Sequence, residues 1–329
     1  MRKKFLLLLA MLCVFCMAFC ACGAKEPDVA TVTLRVGSLK GPTSMGLVHL
    51  MNQNENGECK GSYEFIMETQ PDVIMASMIQ GNIDIALIPA NMAAIMYQKT
   101  EGQISVIDIN TLGVLYMVSG DSSVVDMSSL RGKTIYLTGK GASPEYVLRY
   151  LLDANGINED EINLEFKSEA TEVAAMLAEN PDAIGLIPQP FVTVALSQND
   201  ALKIVIDLND EWNKVQDDNG SMLLTGVTVV RNEVLESNPE AVYNFMQEHK
   251  ASTEAALNDI TGTAELVATY GIIEKAPVAE KALPFCNITY IDGKDMEDAL
   301  SGYLSVLYEQ DATSVGGSLP DMEFYLIEN

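Results

Sequence analysis

Short apolar runs and helically spaced apolar positions alternate along most of this chain. Thr31 to Ser38 predicts a strand, and Pro42-Thr43-Ser44 opens a helix in which Leu47, Leu50 and Met51 recur at i, i+3 and i+4. Tyr63 to Glu68 predicts a second strand, Pro71 to Gln80 a helix closed by Gly81, and Asn82 to Ile88 a buried strand that Pro89 stops. Asn91 is placed to cap a helix running to about Lys99. Strands follow at Ile104 to Ile109 and Val114 to Val118, on either side of a short Asn-Thr break.

The same grammar returns 100 residues later. Leu34 to Ser44 and Thr134 to Pro144 both read as a strand, a Lys-Gly turn with Ser and Pro, then a helix, and Ile83 to Pro89 and Ala183 to Pro188 are both strands that stop at proline. Shared offsets predict two similar lobes. In the second, Ser143 is a candidate N-cap, Pro144 suits the first helical turn, and Val147, Leu148, Leu151 and Leu152 form an apolar face that Asn155-Gly156 ends. Strands at Ile162 to Phe166, Ala183 to Pro188 and Lys203 to Asp207 alternate with helices at Thr171 to Glu179 and Phe191 to Ser197, which implies parallel crossovers. Leu208 to Gly220 predicts a polar loop around Trp212, and Met222 to Val230 a long return strand.

Beyond Asn238-Pro239 the expected elements are helices alone: Pro239 to about Asn258, Thr263 to Tyr270, Ala276 to Ala282 and Met296 to Tyr308. This tail is expected to pack on the first lobe. The predicted organisation is a leader over residues 1–21, a tether over 22–30, a discontinuous first lobe of 31–113 and 227–329, and a second lobe of 114–226.

Charge and cysteine usage change what such a chain is for. Arg2, Lys3 and Lys4 precede an apolar run from Phe5 to Phe19, the pattern of a secretory leader. Four of the six cysteines lie in or just after it, and Cys22, between Ala21 and Gly23, opens a polar stretch. That is the arrangement of a bacterial lipoprotein processing site, although Phe19 stands where leucine is usual; an ordinary cleaved leader is the competing reading. Without the three leader cations, 17 of the 20 Lys and Arg face 46 Asp and Glu, a balance of −29. Such a surface repels phosphate backbones, so nucleic acid is not an expected partner. Cys59 and Cys286, far apart in sequence, are open to pairing or to remaining free thiols.

Six short motifs in order then carry a resemblance: Val36-Gly37 with Lys40 to Ser44, Gln80 to Ala86, Leu130 to Ile135, Gly139 to Glu145, Asp182 to Leu186, and Asn238 to Val242. The chain resembles the substrate-binding lipoproteins of ABC importers with the two-lobed type II periplasmic-binding-protein fold. It is most similar to the nitrate/sulfonate/taurine and thiamine-pyrimidine-precursor group. The resemblance implies an α/β fold in which each lobe is a mostly parallel sheet flanked by helices, with a ligand cleft between them. It also implies an extracytoplasmic receptor, lipid-anchored to the bacterial cell membrane, that hands a small molecule to permease and ATPase subunits. One departure is Pro188-Gln189-Pro190, a neutral amide where many relatives carry a carboxylate.

The strand-to-helix turns hold the candidate binding residues, because open α/β sheets bind ligands at the carboxyl ends of their strands. Thr43, Ser44 and Ser143 offer hydroxyls from helix starts, Asn91 and Gln189 offer amides from matched positions, and Thr225 a hydroxyl on the return strand. Lys40 and Lys140 are matched cations that would offset an anionic ligand, or else point into solvent. Tyr116, Tyr146, Phe191 and Trp212 are candidates for stacking on a planar ring, and Asp84 reads as structural. Neither His49 nor His249 has a second ligand at metal spacing, and no Gly-rich Lys-Ser/Thr loop occurs, so no metal or cofactor is expected. The expected ligands are a sulfonate, nitrate, another small organic anion or a pyrimidine precursor. The rivals are an enzyme on the same fold acting on a small organic acid or cofactor precursor, and a ligand-sensing lipoprotein outside transport.

Overall fold

Strand β3 (Ile85–Pro89) shows how this sequence builds its layers, because alternate side chains enter different cores. Ile85 and Leu87 join Leu34, Val36, Leu50 and Phe245 on one face, while Ala86 and Ile88 face the opposite core with Val106 and Val227. A strand buried on both faces must be covered by helices on both. The computed structural model describes residues 32–216 and 220–327 and contains two such sheets.

The first sheet has the order β11-β4-β10-β3-β1-β2, from β1 (Thr33–Leu39), β2 (Ser62–Glu68), β3, β4 (Ile104–Leu112), β10 (Leu224–Arg231) and β11 (Ile288–Ile291). The second is β7-β6-β8-β5-β9, from β5 (Leu115–Ser119), β6 (Thr134–Leu137), β7 (Asn163–Phe166), β8 (Ile184–Pro188) and β9 (Lys203–Asp207). In each sheet the strand leading into the repeated turn pairs in parallel with the next two strands on either side of it, β1 with β2 and β3, β6 with β7 and β8. The crossing strands are antiparallel: β10 lies between β3 and β4, and β5 between β8 and β9.

The chain passes between the sheets twice, at Gly113-Val114 and just before Leu224, and the two passages touch. A Cβ on Gly113 would lie 2.6 Å from the Leu223 side chain, so only glycine lets them run side by side. Leu224 already pairs with Leu112 in the first sheet, so Leu224 to Gly226, grouped with the second lobe from sequence, hydrogen-bond with the first. One apolar core continues from the first sheet through Met117, Leu137 and Leu148 of the second.

Several elements differ from expectation. The first helix is split by Gly46 into Pro42–Met45 and Val48–Glu55. Asn110 and Thr111 do not break a strand: they lie within β4, and Asn110 Nδ2 donates to Thr228 Oγ1 at 3.1 Å, giving the polar pair a buried partner. Residues 208–215 are not loop but a helix, Leu208–Val215, capped by the Asp207 carboxylate, which accepts from the Asn209 N–H at 2.9 Å. Its Trp212 is fully buried, with ring centroids 4.9 Å from Tyr150 and 5.7 Å from Tyr303. The tail is not purely helical, since β11 extends the first sheet, and a short helix, Asn232–Ser237, precedes it. The helix Gly293–Gln310 packs on Ala90–Lys99 of the first lobe and also on Ser143–Ala154 of the second.

Cys59 and Cys286 are separate free thiols in different cores. The leader, the tether and Cys22 lie outside the described residues, and among those described no helix is long and apolar enough to cross a membrane.

Candidate functional site

Where the two sheets face each other at the crossings there is a cavity of about 300 Å³. The first lobe contributes Pro89, Asn91 and Met92, the crossings Gly113 to Leu115 and Leu223 to Thr225, and the second lobe Thr138, Ala142 to Pro144, Val147 and Pro188. Tyr303, from the helix Gly293–Gln310, completes the wall. Strand-stopping prolines explain the placement, because Pro89 and Pro188 end equivalent strands and turn the chain into helices at the cavity edge. Gly139, with φ 79°, and Gly141, with φ 70°, take the left-handed conformations that let the β6 turn swing Ser143 inward.

The lining is mostly apolar, with polar groups from Asn91, Thr138, Ser143, Thr225 and Tyr303. Tyr303 is almost fully buried, burial raises its hydroxyl pKa to about 12, and a hydrogen bond with Ser143 works in the other direction. The hydroxyl is therefore a neutral donor and acceptor over the physiological range. Asn91 Nδ2 donates to the Ser314 carbonyl at 3.2 Å. Among the described residues the wall carries no carboxylate, histidine, lysine, arginine or cysteine.

Three of the eight residues singled out from sequence meet here: Asn91, Ser143 and Thr225. Two of them have different local roles from those expected. Asn91 does not cap its helix, since Pro89 is the N-cap and Asn91 sits one residue inside the first turn. Ser143 is the first helical residue after an Ala142 N-cap and turns its hydroxyl to Tyr303.

The other five are elsewhere. Thr43 and Ser44 are buried and both donate to the Leu39 carbonyl, and Ser44 Oγ lies 2.8 Å from Ser38 Oγ, so their hydroxyls close their own turn. Lys40 and Lys140 are exposed, and the Lys140 ammonium lies over the Phe166 ring at 5.7 Å. Gln189 is buried behind the wall, where its Oε1 accepts from Thr193 Oγ1 at 2.9 Å and its Nε2 has no partner among the described residues.

Tyr116, Tyr146, Phe191 and Trp212 do not line the cavity; Tyr116 donates to the Phe285 carbonyl at 2.8 Å, tying the second lobe to the tail. Sequence reasoning missed Thr138 and Tyr303. Thr138 directly precedes Gly139-Lys140-Gly141, the second copy of the repeated Lys-Gly turn, so the repeat itself held its signal. Tyr303 had none, because only packing brings a residue 160 positions from Ser143 against it.

Both histidines are structural. His249 is fully buried, with Nδ1 3.3 Å from Asp108 Oδ2, and His49 Nε2 lies 2.8 Å from Thr263 Oγ1. No group of three or more His, Cys, Asp or Glu that could hold a metal occurs among the described residues.

A protein family model described as NMT1/THI5 like matches residues 104–260. Among solved structures, an ABC transporter protein from Parabacteroides distasonis aligns with a TM-score of 0.76 at 22% identity, covering 90% of this chain and 99% of that one. The periplasmic aliphatic sulphonate binding protein SsuA of Escherichia coli aligns with a TM-score of 0.67 at 15% identity, covering 86% and 93%. A Candida albicans gene product described as having the generic periplasmic binding protein fold aligns at 0.55 and 14% identity, covering 89% and 93%. No curated protein matches the chain.

Proposed function

We propose that this chain, which has the periplasmic binding protein fold, is the extracytoplasmic receptor of an ABC importer. It captures a small solute between two lobes and delivers it to a permease. The observation that carries the reading is the cavity itself, walled by both lobes and by both crossings, so that a bound molecule touches every part that moves when the lobes rotate. The sulphonate named for the Escherichia coli protein and the pyrimidine precursors of the sequence resemblance are the starting candidates. A receptor needs no reactive groups, and the described wall offers only hydroxyls, one amide and apolar surface.

Trp212 makes the reading testable, because it is the single tryptophan and stacks near Tyr303, which lines the cavity. Titrating the chain lacking its leader with small solutes should give a saturable change in tryptophan fluorescence that weakens in Thr225→Val. Chemical conversion of the bound solute would refute the receptor reading in favour of an enzyme.

Cys22 is the proposed site of a lipid anchor that keeps the receptor at the membrane surface, since acyl chains contribute about 0.8 kcal/mol per buried CH₂. Metabolic labelling with palmitate should mark the chain and vanish in Cys22→Ala; labelling that persists would contradict the anchor.

A further inference from the structure

Resting on that receptor reading, we infer that the cognate solute is uncharged: a compact molecule with an apolar body and one edge bearing hydroxyl, carbonyl or amide groups. Four observations converge on this class. The described wall has no cation, and the two lysines matched across the repeat are exposed, away from the cavity. Burying an anion without a partner charge is unfavourable, and the apolar surface from Met92, Val114, Leu115, Val147 and Leu224 does nothing to offset that cost.

The helix start that would otherwise favour an anion already has one. Glu145, one residue beyond the lining Pro144, is 8% exposed, accepts from the Gly141 N–H at 2.7 Å and is held by Arg149 at 2.7 Å. The Gly141 N–H at this turn is therefore already taken and is not free to meet an incoming anion. On the opposing wall, one of the two Asn91 amide hydrogens is committed to the Ser314 carbonyl, and the Pro89 N-cap adds no N–H of its own.

The polar groups that remain suit a neutral partner. Thr138 and Thr225 carry hydroxyls that donate or accept as the ligand requires, Ser143 and Tyr303 keep the capacity left by their mutual hydrogen bond, and Asn91 Oδ1 is an acceptor. An acceptor beside the ligand disfavours an oxyanion and favours an N–H or O–H. With a cavity of about 300 Å³, at the small end of ligand sites, the molecule is compact.

The test is a binding screen of size-matched pairs that differ in charge, such as benzamide against benzoate, valeramide against valerate, and methyl phenyl sulfone against benzenesulfonate. Binding is read from Trp212 fluorescence and from thermal stabilisation. In pairs that bind, the neutral member should bind at least about tenfold more tightly. Its affinity should fall in Thr225→Val and in Thr138→Val, two near-isosteric changes whose folding is checked by their unfolding transitions. An anionic member that binds as well as its neutral partner overturns this inference and leaves the receptor reading standing. Absence of binding by every member of a broad panel overturns both.

Discussion

Asp84 interrupts an apolar strand, and its carboxylate explains why it is there. Oδ2 accepts from the Arg35 backbone N–H and Nε, both at 2.9 Å, Oδ1 lies 2.6 Å from the Arg35 guanidinium, and Arg231 approaches at 3.3 Å. One side chain thus ties β1 and β10 to the start of β3. Burial pushes its pKa up, but the Arg35 hydrogen bonds and both guanidinium charges outweigh it and hold the carboxyl below its usual range. Because the folded pKa is depressed, the stabilisation is present above the unfolded value, about pH 4, and is lost as pH falls through the folded value. Asp84→Ala should cost about 3 kcal/mol near neutrality in urea unfolding, and the difference from the parent should shrink in acid. Parallel stability curves down to the acid limb would disprove this role. The sequence reading of Asp84 as structural agrees with these bonds, since a charge in an apolar run demands a partner; that the partners are two arginines follows only from strand order.

At the scale of elements, periodicity placed most helices and strands, because a buried face imposes a period that composition preserves. It failed where polarity had a private partner. The helix Leu208–Val215 is polar in sequence, yet its Asp207 cap and its Trp212 anchor make it regular. Asn110 and Thr111 look like a break but bond to each other and to Thr228 inside the sheet. The crossing strand β10 carries a tight steric constraint. A Cβ on Gly226 would lie 2.5 Å from both Asn110 Oδ1 and Thr43 Cγ2, so the strand can pass there only without a side chain. Gly226→Ala should destabilise the fold by about 1–3 kcal/mol and shift the adjoining Thr225 in the cavity wall. Unchanged stability together with unchanged solute affinity would show that the contact relaxes at no cost.

At the scale of the whole molecule, the internal repeat made two lobes and a cleft legible, because similar strand–turn–helix units bury similar faces and leave their turns at the strand ends. Which residues enter the cleft was less legible. The hydroxyls of Thr43 and Ser44 fit the pattern but satisfy their own turn, and the matched lysines follow the repeat into solvent. Tyr303, which bonds Ser143, reaches the cavity from a tail helix packed on both lobes. The sequence by itself determined the alternating elements, the doubled architecture and the acidic balance, all of which depend on local patterns or on totals. Only the tertiary structure decided the strand order, the partners of Asp84 and the uncharged wall of the cavity. These depend on residues far apart in the chain, whose meeting is set by packing and by the need of every buried polar group for a partner.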